Sequence, residues 1–252
     1  MKIFVYSHKE TLDYLKHPYY FLHESNVKIT GDSGHYYGEL NGCKYVYENF
    51  KSEDYLGVWQ YRRWLSNPIT GKLFSEASLR GIFEYLKEDC KVIVSKPWKH
   101  ISIAEQFIIS HGKDMWDFLE NLIKEMHPDF HKYWHEFMEQ EQDFYVANLY
   151  IANNKFFMNY HSWLFEILDE VDKRLDYKTG RDFYQQRMPG FFAERLFNLY
   201  LQVTKPAFLL SDSNVVEAET EMNEKKTKVS KGLDITLFPE NEFFSQHHSP
   251  LL

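Results

Sequence analysis

Short apolar runs of strand character alternate with helically spaced stretches along this chain, and that alternation leaves few folds open to it. KIFVYS, at residues 2–7, is the first run; YLGVW, at 55–59, and KVIVS, at 91–95, follow. Runs this short, rich in Val, Ile and aromatic residues, fit strands covered on both faces. Between the second and third, SEASLRGIFEYLKE puts Leu79, Ile82, Phe83 and Leu86 at helical spacing, with Ser75 or Ser78 placed to cap the helix. Strands separated by helices build an α/β structure. Ligands of open α/β sheets collect at the carboxyl ends of the strands, so Ser7, His8 and Lys9 are candidate binding residues.

The second half is dominated by helices. ISIAEQFIISHG and DMWDFLENLIKEM are followed, after Pro128, by DFHKYWHEFMEQ. FYVANLYIA, at 144–152, has strand content. NKFFMNYHSWLFEILDEVDKRL predicts a long helix with Phe157, Tyr160, Trp163, Leu164, Ile167, Leu168 and Val171 on one face, and RMPGFFAERLFNLYLQ predicts another after a Pro-Gly break. Nearer the start, Gly31, Gly34, Gly38 and Gly42 with Asp32 read as a loop that gives way to a helix from Tyr36 to Phe50. EAETEMNEKKTKVSKG is charged and poor in apolar residues. The expected organisation is one domain over residues 1–210 and a polar, partly mobile tail over 211–252.

Composition narrows the function. The 252 residues suffice for one large α/β domain. A net charge of −8 argues against general nucleic-acid binding, which needs a basic face. Aromatic residues reach 18%, enough to fill a core and also to line a sugar site. Cys43 and Cys90 supply neither a disulfide framework nor a zinc knuckle. MKIFVYSHKE does not read as a secretion signal, and no window approaches the about 18 apolar residues of a membrane span. A reduced, cytoplasmic setting is expected, with peripheral association at the inner membrane face if the substrate is lipid-linked.

Several residues are candidates for chemistry. Arg62 and Arg63 follow the YLGVW run, beside Gln60 and Tyr61. A guanidinium offers a rigid fork of donors that matches phosphate oxygens, while a structural ion pair is the plainer alternative. Glu194, early in a predicted helix and beside Arg195, is a candidate general base or a helix-end carboxylate. Asp32 and Glu39 sit in a glycine-rich approach to a helix, where either can bind hydroxyls and Asp32 can equally shape a turn. His127, His131 and His135 share a spacing that suggests a metal stripe, but Pro128 interrupts it, and a polar helix face is the better reading. Neither G-x-G-x-x-G nor G-x-x-x-x-G-K-[ST] occurs.

Five segments in order carry a resemblance. They are the opening strand with Ser7-His8-Lys9; Gly31-Asp32 followed by Glu39; YLGVWQYRRWLS; NLYIANNKFFMNYHSWLFEIL, from Asn148; and RMPGFFAERLFNLYL, from Arg187. Together they span roughly residues 1–205, and the chain resembles a family of bacterial glycosyltransferases from capsule, exopolysaccharide and O-antigen gene clusters, catalogued only as a domain of unknown function. The resemblance implies a GT-A-like nucleotide-sugar-binding domain with a large helical portion in the C-terminal half. It implies transfer of a hexosyl group from a nucleotide sugar, a UDP-sugar by expectation, to a polysaccharide or lipid-linked acceptor. The chain departs from the family in having Gln60 where histidine usually precedes Tyr-Arg-Arg, and in its GHYYGEL stretch. No Asp-x-Asp metal motif follows YLGVW, so arginines are expected to replace a metal against the diphosphate, with no cofactor. Under this resemblance Glu194 is the first candidate base, ahead of Asp32 and Glu39. Ser7, His8, Lys9, Gln60, Tyr61, Arg62, Arg63, Asn148, Arg187 and Arg195 are candidates for substrate binding. The alternative is a non-catalytic nucleotide- or sugar-binding protein of the same fold.

Overall fold

The computed structural model describes residues 1–7, 19–24, 27, 33–61, 63–67, 70–86, 92–99, 101–205, 208–211 and 213–215. His8, Lys9, Asp32 and Arg62, all expected at the site, lie outside the described residues, as does the chain from 216 onward.

The architecture is α/β, as the alternation predicts. Strand β1 (Lys2–Ser7) lies parallel between β2 (Tyr20–His23) and β3 (Tyr55–Gln60), with Tyr6 level with Gln60. Strand β8 (Tyr150–Asn153) runs antiparallel on the other side of β3 and pairs next with β5 (Val92–Ser95), which is parallel to β9 (Phe208–Ser211). Five strands therefore point one way and β8 points against them. A short β4 (Arg63–Leu65) turns back from β3 through the pair Gln60↔Arg63 and carries β10 (Ser213–Val215), so the sheet reaches beyond residue 210. Ile3, Phe4 and Val5 of β1 and Val92, Ile93 and Val94 of β5 are buried, the result expected of strands covered on both faces.

Helices cover the sheet. Helix α1 (Ser33–Tyr37) is followed by α2 (Leu40–Asn49), which packs on β1 and β3. A Cβ on Gly42 of α2 would lie 2.9–3.1 Å from the Tyr6 ring, so only glycine lets the helix come this close. Helix α3 (Glu76–Leu86) precedes β5. Helix α4 (Ile103–His111) starts with a capping box formed by Ser102 and Glu105, and α5 (Lys113–Met126) and α6 (Pro128–His131) follow. The 21-residue α7 (Asn154–Arg174), capped by Asn153, packs on β3 and β8, and α8 (Met188–Thr204) packs on α7.

Four local expectations need correction. The helix expected from Tyr36 to Phe50 is two helices, split at Gly38, whose φ of +51° turns the chain. Tyr20–His23, between the opening strand and the glycine-rich loop, forms a strand where none is expected. The helix expected after Pro128 is one turn of α6 followed by a π-helical turn, His135–Gln140. The strand expected over 144–152 is broken: β7 (Asp143–Phe144) pairs with β6 (Trp98–Lys99), and the chain then turns at Ala147 (φ 69°) and Asn148 (φ 45°) before β8. β-Branched and aromatic content marks strand propensity but carries no trace of two successive left-handed residues.

Candidate functional site

The carboxyl ends of β1, β3 and β5 and the amino end of β8 share one edge of the sheet, the place where open α/β folds bind ligands. Gln60 ends β3 there. Its Nε2 donates to Glu39 Oε1 at 3.1 Å, so Gln60 and the level Tyr6 face α2. Burial pushes the Tyr6 hydroxyl up to about 12. Arg63, the antiparallel partner of Gln60, shares its face and is buried. Ser7 follows Tyr6 and so faces the other side of the sheet. Tyr61 is half-buried against the core.

Arg187 reaches the same cluster from a 3₁₀ turn, Gln185–Arg187, that leads into α8. Its Nη2 lies 3.9 Å from Glu39 Oε2, and its guanidinium sits over Phe191, 5.8 Å from the ring centroid. The same Nη2 is only 3.3 Å from where a Cβ on Gly38 would stand, so glycine there serves both the left-handed turn and the close approach. The Arg187 side chain is 32% exposed and makes no hydrogen bond among the described residues. It occupies the N-cap of α8, whose first turn holds no acidic residue. A cation beside the positive end of a helix is electrostatically unfavourable, and an anion between them would satisfy both.

Seven residues further along, α8 carries Glu194 and Arg195. Arg195 is buried. Its Nη1 donates to Glu194 Oε2 at 3.0 Å and to the Phe191 carbonyl at 3.2 Å, its Nη2 donates to Gln106 Oε1, and its plane lies near the rings of Phe107 and Phe144. These contacts engage Arg195 within the protein and give it the geometry of a residue that orients Glu194, whose side chain is 16% exposed.

Asn148 stands at the left-handed corner before β8. Tyr160 of α7 donates its hydroxyl proton toward Asn148 Oδ1 at 3.2 Å and lies 3.3 Å from the Ala193 carbonyl of α8. Burial raises the Tyr160 pKa well above its ordinary value, and Cys43, Tyr200 and the nearby carboxylates of Glu194 and Glu39 add to the rise. Asn198, also on α8, grips the Tyr145 peptide from both sides: Oδ1 accepts from the Tyr145 N–H at 2.7 Å and Nδ2 donates to the Tyr145 carbonyl at 3.0 Å. The corner is thereby fixed from two helices.

The fold thus brings Glu39, Gln60, Arg63, Asn148, Arg187, Glu194 and Arg195 to one face and one edge of the sheet. Tyr160, Asn198 and Gln106 belong to the same arrangement and were not singled out from sequence for this role. Asn198 left a faint signal, a polar residue four positions after Glu194 in an otherwise apolar stretch. The histidine stripe does not converge: His127 lies 4.0 Å from Glu166, His131 bonds Glu120 and His135 bonds Glu139. No group of three metal-ligating side chains forms among the described residues. Two open clefts of about 380 and 360 Å³ lie elsewhere, one lined by Lys99, Glu136 and Asp143, the other by Glu105, Lys113 and Glu139. Neither contains a residue of the cluster, and we place the site by the convergence of polar side chains at the sheet edge. No described helix is long and apolar enough to cross a membrane.

Comparison with known proteins places this arrangement in context. Among solved structures, the chain is similar to the apo structure of the bifunctional glycosyltransferase WbbM, with a TM-score of 0.71 at 20% identity. The alignment covers 86% of this chain and 45% of that one, so this chain spans less than half the length of its structural neighbour. At that identity the likeness establishes the fold, a glycosyltransferase-like α/β domain consistent with the GT-A type. No curated protein matches the chain. A family model does, and it runs from β1 through the end of α8, residues 2–205, taking in every described member of the cluster; the chain belongs to the family described as Domain of unknown function (DUF4422).

Proposed function

We propose that the protein is a glycosyltransferase that moves a hexosyl group from a nucleotide sugar, a UDP-sugar, to a glycan or lipid-linked glycan in cell-surface polysaccharide synthesis. The observation that carries this reading is Arg187. It is a partly exposed guanidinium at the uncapped start of α8, beside Glu39 and Gln60, at the sheet edge where ligands of this fold class bind. The shared fold with a glycosyltransferase supports it.

In this mechanism the acceptor hydroxyl oxygen forms a bond to the anomeric carbon as the bond from that carbon to the diphosphate breaks. Arg187, with Arg62 and Arg63, steadies the charge that gathers on the departing diphosphate. Fixed donors in a water-poor site do this without reorganising at the moment of reaction. Glu194, oriented by Arg195, takes the proton of the acceptor hydroxyl. Gln60 and Glu39 hold one another in register beside the diphosphate. Because cationic and amide donors gather here, the diphosphate is held without a divalent ion. The enzyme works at the cytoplasmic face of the membrane, where a lipid-linked acceptor would be presented.

Calorimetry with UDP and UDP-sugars, paired with turnover assays over a panel of acceptors, tests this. Arg187→Ala should weaken UDP binding by about 1.5–3 kcal/mol, the loss of a charge-assisted hydrogen bond. Glu194→Gln should leave UDP-sugar affinity unchanged and cut turnover by roughly 10²–10⁴-fold. Wild-type turnover in Glu194→Gln removes the base assignment. Binding without turnover over the whole panel favours a non-catalytic nucleotide-sugar-binding protein.

A further inference from the structure

Asn148 holds a polar group that the protein leaves unused. The residue is 3% exposed, and its Nδ2 has no hydrogen-bond partner among the described residues. Its Oδ1 is taken by Tyr160, which fixes the amide plane. Its backbone is left-handed, as is that of Ala147 before it. Asparagine tolerates that conformation; alanine does so at a cost. Asn198 then pins the preceding Tyr145 peptide with two hydrogen bonds, so the corner is over-determined. A buried donor without an acceptor is unfavourable, and so is left-handed alanine. Both are maintained at the sheet edge, on the face that carries Glu39, Gln60 and Glu194.

We propose that Asn148 Nδ2 is the hydrogen-bond donor to a hydroxyl oxygen of the sugar in the nucleotide-sugar substrate, making Asn148 a specificity-determining residue for the transferred group. The inference rests on the glycosyl-transfer reading and deepens it. An uncharged oxygen fits better than a phosphate, because the carboxylate of Glu194, the proposed base, lies near Tyr160, to which Asn148 is bonded. An anion would be repelled there. A hydroxyl accepts from the amide and keeps its own proton to donate toward a carboxylate. The enclosure of Nδ2 matches the part of the ligand that becomes most fully desolvated. Arg187 lies at the other end of α8's first two turns, which separates the sugar end of the ligand from the diphosphate end.

The test is the ratio of affinities for a nucleoside diphosphate and its sugar conjugate. Calorimetry on the wild-type chain first screens UDP, GDP and dTDP with their glucose, galactose and N-acetylglucosamine conjugates. If none binds, the glycosyl-transfer reading falls and this inference falls with it. For the nucleotide sugar that binds best, Asn148→Gly removes the amide while accepting the φ of 45° without strain. It should lower the gain of the sugar conjugate over the bare diphosphate about tenfold, as expected for one lost hydrogen bond, and leave diphosphate affinity within about twofold. Asn148→Asp keeps the shape and replaces the donor by an acceptor, and it should lower the ratio at least as far. Tyr160→Phe keeps the core volume, frees the amide to turn, and should lower the ratio with diphosphate affinity unchanged. Full affinity for the sugar conjugate in Asn148→Asp overturns the proposal. So does a loss in Asn148→Gly shared equally by diphosphate and conjugate, which would mark a purely structural residue.

Discussion

His161 shows how far a single residue is committed to the interior. It is fully buried on α7, donates from Nδ1 to the Phe157 carbonyl at 3.0 Å, and lies 3.3 Å from the Tyr150 hydroxyl through Nε2. Burial lowers its pKa from 6.5 to about 3, so the folded protein keeps it neutral while the unfolded chain protonates it below about 6.5. The unfolded state thus binds more protons between those values, and stability falls as pH drops through that window by up to about 1.4 kcal/mol per pH unit from this group. Urea denaturation at pH 7.5, 5.5 and 4.5 should show the fall in wild type. It should be shallower in His161→Phe, which loses the Tyr150 contact at every pH but has nothing to titrate. Equal slopes in the two proteins would mean that the imidazole is not held neutral. At the same scale, sequence gave Glu194 and Arg195 as neighbours but not their division of labour. That depends on Gln106, Phe107 and Phe144, which are distant in the chain and close only after folding.

Among elements, α7 and the corner before β8 teach opposite lessons. The apolar spacing of α7 and α8 was readable because a 3.6-residue period survives in the residues themselves. So was the buried character of β1, β3 and β5. The break between β7 and β8 was not, because its cause is the grip of Asn198 on Tyr145 from another element. Gly42 is a similar case. In an exposed helix interior, Gly→Ala stabilises by about 1 kcal/mol. In α2 the added methyl meets the Tyr6 ring, so Gly42→Ala should instead destabilise by about 1–3 kcal/mol, the usual cost of overpacking. A rise in denaturation midpoint for Gly42→Ala would mean that α2 stands further from β1 than described.

For the whole molecule, the net charge of −8 sets a generally acidic background, and under the proposed function Arg187 at the sheet edge admits an anion locally against it. The proposed chemistry needs no divalent ion, so UDP affinity and turnover should stay within about twofold in excess EDTA or on adding Mn²⁺. A tenfold loss in EDTA would transfer the diphosphate to a metal and leave the arginines a supporting part. Arg187, Glu194 and Asn198 all hang from α8, and that has a mechanical consequence. Seven residues of α-helix set Arg187 and Glu194 about 10 Å apart along the axis, a length no side-chain rearrangement alters. The helix acts as a ruler between the two ends of whatever it holds. If the proposed site opens to release product, these groups travel together as one bar, and the corner that Asn198 grips is pulled along with them.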